Sequence, residues 1–336
     1  MKAWQIEKTF GLENLNLVDL PAPKLNPGQI LVKMTAASLN YRDLVTVAGA
    51  YGKTVKTPLI PCSDGAGYVV ECGPNTNRFE VGARVCPIFF PDWTDGPARP
   101  SVIPQALGGA YDGTLREYMV VSENACVPIP DYLSDLEASS LPCAAVTAWS
   151  ALFEQSALSS SDCVVIQGTG GVALFALLFA KAAGAQVLIT SSSDKKLERA
   201  KELGADYTVN YYDHPVWRQE VKKVWSEGAD HIIELGGAQT LEQSIRATRI
   251  GGHISLIGVL TGANTSSIPL PMILMRNIRI QGVTVGSKTA FERMTAFMEK
   301  HNIKPVIDQT FNFKEVPSAF KYLESGQHFG KVCVEF

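Results

Sequence analysis

The residues best suited to chemistry lie in VVIQGTGGVALFALLFAKAAGA, residues 164–185. Gly168-x-Gly170-x-x-Ala173 follows an apolar run and opens a segment of helical period. Gly168 permits a tight turn, Gly170 lets the backbone approach a pyrophosphate, and Ala173 is small enough for helix and sheet to pack closely. Gly171 and Val172 stand at the start of that helix, where free N–H groups and the positive end of the dipole meet phosphate. A glycine pattern alone also fits a tight turn with no ligand, so its surroundings must decide. At the end of the next apolar run, VLITSSSDKK, an NAD site commonly carries a carboxylate for the ribose 2′-OH. Here that place holds Ser191. Ser191 and Ser192 can donate to a 2′-phosphate, Lys196 can neutralise it, and Tyr211, after the following strand, can close over it. NADP(H) is the expected dinucleotide. Asp194 is expected as a helix N-cap instead of a ribose ligand. The alternative for Lys195 and Lys196 is a solvated helix start.

These residues need a frame. From about Asp131, DYLSDLEASSLPCAAVTAWSALFEQ has apolar residues at helical spacing, with Ser134 or Asp135 to cap it. Apolar strands and helices then alternate through CVVIQG, QVLITS, YTVNY, HIIELG and HISLIGV. Repeated βαβ units predict a doubly wound parallel sheet, and this context strengthens the dinucleotide reading. The first 125 or so residues read differently. ILVKMTAASL, AGYVVECG, GARVCPIFF and REYMVVSENACVPIP are short β-branched runs separated by Gly, Pro and Asn, which predicts a barrel. Pro91 to Tyr111 is rich in Pro and Gly without period and reads as a long surface loop.

At 336 residues the chain is long enough for about two domains. A net charge of −3 gives no reason to expect nucleic acid or anionic membrane as partner. The apolar run Gly170 to Val187 is interrupted by Lys181 and glycine, so it reads as a buried helix. The start, MKAWQIEKTF, lacks an apolar h-region. Seven scattered cysteines form no C-x-x-C pair and suit reduced thiols in a cytoplasmic setting.

With these segments in view, the chain resembles the medium-chain dehydrogenase/reductase superfamily through AASLNYRD, PCSDGAG, GTGGVALFALLFAKAAGA and FGKVCVEF. AASLNYRD and LPCAAVTAWSAL look most like its zinc-free quinone oxidoreductase branch. The resemblance implies a GroES-like β-barrel catalytic domain over 1–128 and 285–336, and a Rossmann domain over 129–284. The three zinc ligands of metal-dependent relatives match Asn40, Ser63 and Cys143. An amide, a hydroxyl and one thiol do not make a zinc site, because zinc takes thiolate, imidazole or carboxylate. Asp64 stands where those relatives carry glutamate, which leaves an Asp64–Cys143 arrangement open. The loop that would hold a second, structural zinc has no cysteine. No metal is expected.

Without a metal to polarise a carbonyl and acidify an alcohol, hydride transfer suits an acceptor that is already electrophilic. The expected reaction is transfer from NADPH to a quinone or an α,β-unsaturated carbonyl, with solvent or a cofactor ribose hydroxyl returning the proton. Asn40 and Tyr51, by family match, would meet the acceptor, and Asn40 would also reach the nicotinamide. The alternatives are a loop-fixing asparagine and a wall tyrosine. The resemblance also places Thr147, Gly258, Val259, Val285 and Ser287 about the nicotinamide, and His328 and Lys331 in a tail that reaches the cofactor cleft. The alternatives there are a Thr147 hydroxyl bonded back within its helix, and surface positions for His328 and Lys331. Arg42 and Asp43 read as a structural ion pair. Trp93, Met272 and Met275 suggest an apolar acceptor pocket. NIRIQGVTV looks like an edge strand that pairs across a two-fold axis, giving a homodimer. Two other readings remain: an alcohol dehydrogenase acting on simple alcohols, and an NADPH-binding protein with little catalysis.

Overall fold

A computed structural model describes residues 1–52, 55–265 and 267–336. The chain divides into two compact units, Met1–Val146 with Val285–Phe336, and Thr147–Thr284. Strands of the first unit are β1 (Lys2–Ile6), β2 (Leu15–Asp19), β3 (Gln29–Leu39), β4 (Asp64–Cys72), β5 (Arg84–Pro87), β6 (Tyr118–Ser122) and β7 (Cys126–Pro128). The second unit holds β8 (Cys163–Gln167), β9 (Gln186–Ser191), β10 (Tyr207–Asn210), β11 (Ala229–Glu234), β12 (Thr248–Leu256) and β13 (Arg279–Gly282). The chain then returns to the first unit with β14 (Ile307–Asn312) and β15 (Lys331–Glu335).

In the first unit, β1 and β2 form an antiparallel ribbon, and the larger sheet runs β14-β15-β3-β4-β5-β7, with β6 also on β3. Trp4, Leu39, Ile60, Leu115, Phe320, Val332 and Val334 form its apolar core. Antiparallel pairing sets Val332 opposite Leu39 and Cys333 opposite Ser38. That register brings Lys331 to the end of β3, beside Asn40. The helix Asp135–Ser139 is capped by Ser134, with Glu137 closing the box. It belongs to this unit, so the first boundary falls after Val146 and not after residue 128. The Asp135 carboxylate explains why: it accepts from Thr35 Oγ1 on β3 (2.7 Å) and from Arg84 on β5 (2.6 Å).

The second unit is a six-stranded parallel sheet in the order β10-β9-β8-β11-β12-β13. Chain order reverses between β8 and β11, which is the switch point of a doubly wound sheet. Val164, Val165, Ile166, Leu188, Ile232, Ile233 and Ile254 are fully buried, as expected of strands covered on both faces. β13 is the edge strand, and Arg279, Gln281 and Gly282 on it are exposed. No described helix is long and apolar enough to cross a membrane. All seven cysteines are free thiols.

Parallel pairing of β11 and β12 places His231 opposite His253, ring centroids 6.1 Å apart. His231 donates from Nε2 to Asp162 (3.1 Å), but both nitrogens of His253 are buried without a partner among the described residues. Burial, with smaller contributions from His231 and Arg279, pushes His253 down to about 4 from an ordinary 6.5. The unfolded chain therefore takes up a proton at higher pH than the folded one, so this histidine's stabilising contribution is lost as pH falls through that window. Replacing it as His253→Phe is expected to raise stability relative to the parent increasingly from pH 6.5 down to 4. Urea unfolding at several pH values checks this; a pH-independent difference would contradict it.

Candidate functional site

In the first unit the site begins at a strained turn. Cys62 has φ 74, a left-handed conformation rare for a residue with a side chain. Its backbone is gripped closely: a Cβ on Gly113 would lie 1.9 Å from the Cys62 carbonyl oxygen, and one on Gly108 2.6 Å from the Cys62 nitrogen. The turn delivers Asp64, fully buried, to the start of β4. Ser63 Oγ donates to Asp64 Oδ1 (2.7 Å), and Cys143 N donates to Asp64 Oδ2 (3.2 Å). The Lys331 ammonium lies 3.7 Å from the same Oδ2. It donates to Asn40 Oδ1 (2.6 Å) and to Leu39 O (3.0 Å).

Asn40 precedes the helix Tyr41–Val47, and its backbone N–H donates to Asp43 Oδ2 (2.8 Å). Arg42 and Asp43 form a buried ion pair at 3.1 Å, and Arg42 Nη1 also donates to Leu107 O (2.8 Å). The guanidinium lies 4.4 Å from the Tyr51 ring centroid and 5.1 Å from that of Phe89. Asn40 Nδ2 is buried and makes no hydrogen bond among the described residues, whereas the buried Arg42 guanidinium is close enough to the Tyr51 hydroxyl to interact with it. Burial raises the Asp43 carboxyl to about 6; Arg42 opposes that rise and Asp64 adds to it.

The three positions matched to zinc ligands do not fit a zinc ion. Asn40 Oδ1 is taken by an ammonium, Ser63 Oγ is spent on Asp64, and burial pushes the Cys143 thiol well up. Among the described residues, no three His, Cys, Asp or Glu side chains gather to hold a metal ion.

The second unit carries the glycine turn. Gly168 has φ 76, and a Cβ there would meet nothing within 4 Å, so the turn is open above its backbone. Gly170 is extended and caps the helix Gly171–Ala182, where Ala173 is fully buried. These residues fit a pyrophosphate. Ser191 ends β9, and its carbonyl accepts from Tyr211 N (3.0 Å), which brings Ser191 and Tyr211 together. Ser193, not Asp194, caps the helix Asp194–Glu202, because Ser193 has the extended backbone a cap requires and Asp194 is already helical. Asp194 instead accepts from Asn210 Nδ2 (2.8 Å). Ser192 and Lys196 are half-buried beside that cap.

Other matched residues have clear local roles. Thr147 is buried in a helical run with π-turns at Leu141–Ala145 and Ser150–Glu154. Val285 has φ 58, a strained value for a β-branched residue. Ser287 caps the helix Lys288–His301. Val259 is exposed, while Gly258 packs so closely that a Cβ would lie 2.1 Å from Leu235 O. Trp93 is buried, Met272 packs against the core of the second unit, and Met275 is exposed.

Pattern reading missed Glu234, which is fully buried at the end of β11. Its carboxylate accepts from Gly236 N (2.9 Å), Gly237 N (2.8 Å), Thr240 Oγ1 (2.5 Å), Gln167 Nε2 (2.7 Å) and Ser244 Oγ. It fixes the loop that Gly258 touches. A carboxylate and an amide at the ends of two buried strands, Glu234 and Gln167, were the available signal.

Comparison with known proteins gives a consistent placement. The family described as alcohol dehydrogenase GroES-like domain matches residues 26–131, and that described as zinc-binding dehydrogenase matches 171–300. The chain is 43% identical to a zinc-type alcohol dehydrogenase-like protein of Schizosaccharomyces pombe (strain 972), covering 98% of this chain and 97% of that one. It is 29% identical to a 2-methylene-furan-3-one reductase of Solanum lycopersicum, covering 99% and 79%. A crystallised protein from Sinorhizobium meliloti 1021 shares 42% identity with a TM-score of 0.94, over 100% of this chain and 98% of that one.

Glu234→Ala would leave several buried donors unpaired and is expected to cost on the order of 3 kcal/mol or more. Glu234→Gln should cost less, because it keeps one acceptor oxygen. Denaturant unfolding of the two variants measures both; equal stability of Glu234→Ala and the parent would refute the role.

Proposed function

Since the chain belongs to the medium-chain dehydrogenase/reductase superfamily of NAD(P)-dependent oxidoreductases, we propose that it reduces a quinone or an α,β-unsaturated carbonyl with NADPH and without a catalytic metal. One observation carries the reading: the Asn40 Nδ2 donor of the buried cluster makes no hydrogen bond among the described residues. Donors without partners are what an oxygen gaining negative charge requires. When bound, the reduced nicotinamide supplies the hydride. Asn40 Nδ2 then meets the acceptor oxygen as the electron pair shifts onto it, and solvent returns the proton. Tyr51, whose ring covers Arg42, lines the acceptor and adds a second donor, its hydroxyl.

The phosphate end supports NADPH over NADH. Ser191 stands where a carboxylate would repel a 2′-phosphate, and Lys196 follows on the next helical turn. Thr147, Gly258, Val259, Val285 and Ser287 belong to the nicotinamide end in this reading. The name of the tomato relative favours an enone acceptor. The exposed edge at β13 supports a homodimer, and the free thiols suit a cytoplasmic setting. The name of the Schizosaccharomyces relative favours a second reading, oxidation of simple alcohols. That reaction needs a base or a metal, and the carboxylates of Asp43 and Asp64 are already engaged by Arg42 and Lys331.

A panel of quinones, enals, enones and alcohols, run with NADPH or NADH (NADP⁺ or NAD⁺ for the alcohols), separates these readings, with zinc measured on the same preparation. Reduction of electrophilic acceptors by zinc-free protein is expected; turnover confined to alcohols with stoichiometric zinc would reverse the assignment. Asn40→Ala and Tyr51→Phe should each lower kcat about tenfold or more while changing the NADPH Kd less than about threefold. Lys196→Ala should weaken NADPH about tenfold and leave NADH nearly unaffected, as direct titration would register.

A further inference from the structure

We infer that Lys331 is the positioning residue that sets the orientation of the Asn40 amide. The inference rests on the proposed role of Asn40 at the acceptor oxygen. It follows from the chemistry of the two groups. An ammonium has three donors and no acceptor, so the atom of Asn40 that faces it at 2.6 Å must be the carbonyl oxygen. The orientation of an asparagine amide is often ambiguous, and here the partner decides it. The amide NH₂ is thereby turned away from Lys331, and it is this group that is buried without a partner among the described residues.

The backbone groups next to the Asn40 side chain are committed. Its backbone N–H goes to Asp43, and the preceding carbonyl, on Leu39, accepts from Lys331 (3.0 Å). Lys331 is only 3% exposed, and its ammonium faces Asp64 Oδ2 at 3.7 Å. It also acts electrostatically on Cys143, one of the positions matched to zinc ligands. Arg42 and Lys331 balance Asp43 and Asp64, which leaves the cluster formally neutral when all four are charged. A neutral cluster offering an N–H donor suits a neutral carbonyl oxygen, and nothing in its charge selects a carboxylate or phosphate.

The test uses the full-length protein with NADPH and an α,β-unsaturated ketone or a quinone. Lys331→Met keeps the length of the side chain and removes its charge. Its kcat is expected to fall about tenfold or more while the NADPH Kd changes less than about threefold. The decisive comparison is the double variant Lys331→Met/Asn40→Ala, which should be no slower than Asn40→Ala alone if Lys331 acts through Asn40. Losses that multiply, or an unchanged kcat in Lys331→Met, would overturn the inference. If Lys331→Met does not fold, the charge-balanced Lys331→Met/Asp64→Asn variant takes its place in the same comparison. A second readout needs no turnover: in protein labelled with ¹⁵N-asparagine, the Asn40 side-chain NH₂ resonance is identified by its loss in Asn40→Asp. It should shift in Lys331→Met, because the amide oxygen loses the hydrogen bond from the ammonium. An unmoved resonance refutes the positioning. A parent protein that reduces no acceptor, but whose Asn40 resonance responds to Lys331→Met, would sink the proposed reaction and leave the positioning intact.

Discussion

A carboxylate and an ammonium sharing a dry interior organise the first unit. Asp64 and Lys331 are both nearly inaccessible, and each would be costly to bury alone. Their separation of 3.7 Å is longer than a tight ion pair, and the remaining capacity of each is filled from other segments. Ser63 and Cys143 N satisfy Asp64, while Leu39 O and Asn40 Oδ1 satisfy Lys331. Such an arrangement contributes little net stability over an apolar core, but it is intolerant of misalignment. Five parts of the chain must meet in register for all the groups to be paired: the end of β3, the strained Cys62 turn, the start of β4, the first π-turn and the start of β15.

The second unit solves a similar problem with a different carboxylate. Glu234 has no cationic partner among the hydrogen bonds that surround it, and neutral donors satisfy it. Three of its donors lie in the loop that follows its own strand, and Gln167 ties that loop to the neighbouring strand β8. The loop therefore cannot shift without exposing a buried charge. Held in this way, it lets Gly258 pack directly on the Leu235 carbonyl, where any side chain would clash. In both units a buried carboxylate turns a flexible connection into a fixed one.

These devices differ in how far the sequence discloses them. The glycine turn was legible because its requirements are local: a left-handed Gly168, a helix opening at Gly171 and a small Ala173 all lie within six residues. The alternation of strand and helix was legible for the same reason. The cap at Ser193 was misplaced by one residue to Asp194, since both residues accept hydrogen bonds well and only the backbone conformation distinguishes them. The boundary after Val146 depends on Asp135 reaching Thr35 and Arg84, contacts separated by 100 and 51 residues. The hydrogen bond from Lys331 to Asn40 joins residues 291 positions apart. No periodicity carries such a contact, and it emerges only when β15 settles antiparallel to β3.

That pairing also bears on the metal. A zinc ion brought among Asn40, Ser63 and Cys143 would have to displace or adjoin an ammonium already bonded to one of them. In a medium of low effective dielectric, adding two positive charges beside a third is strongly unfavourable unless thiolates arrive to compensate. The thiol at hand, Cys143, is driven toward its neutral form by burial and by Asp64. A fixed ammonium that spends its donors on the protein cannot polarise an acceptor by coordination, which is why the proposed reaction assigns that work to the Asn40 amide.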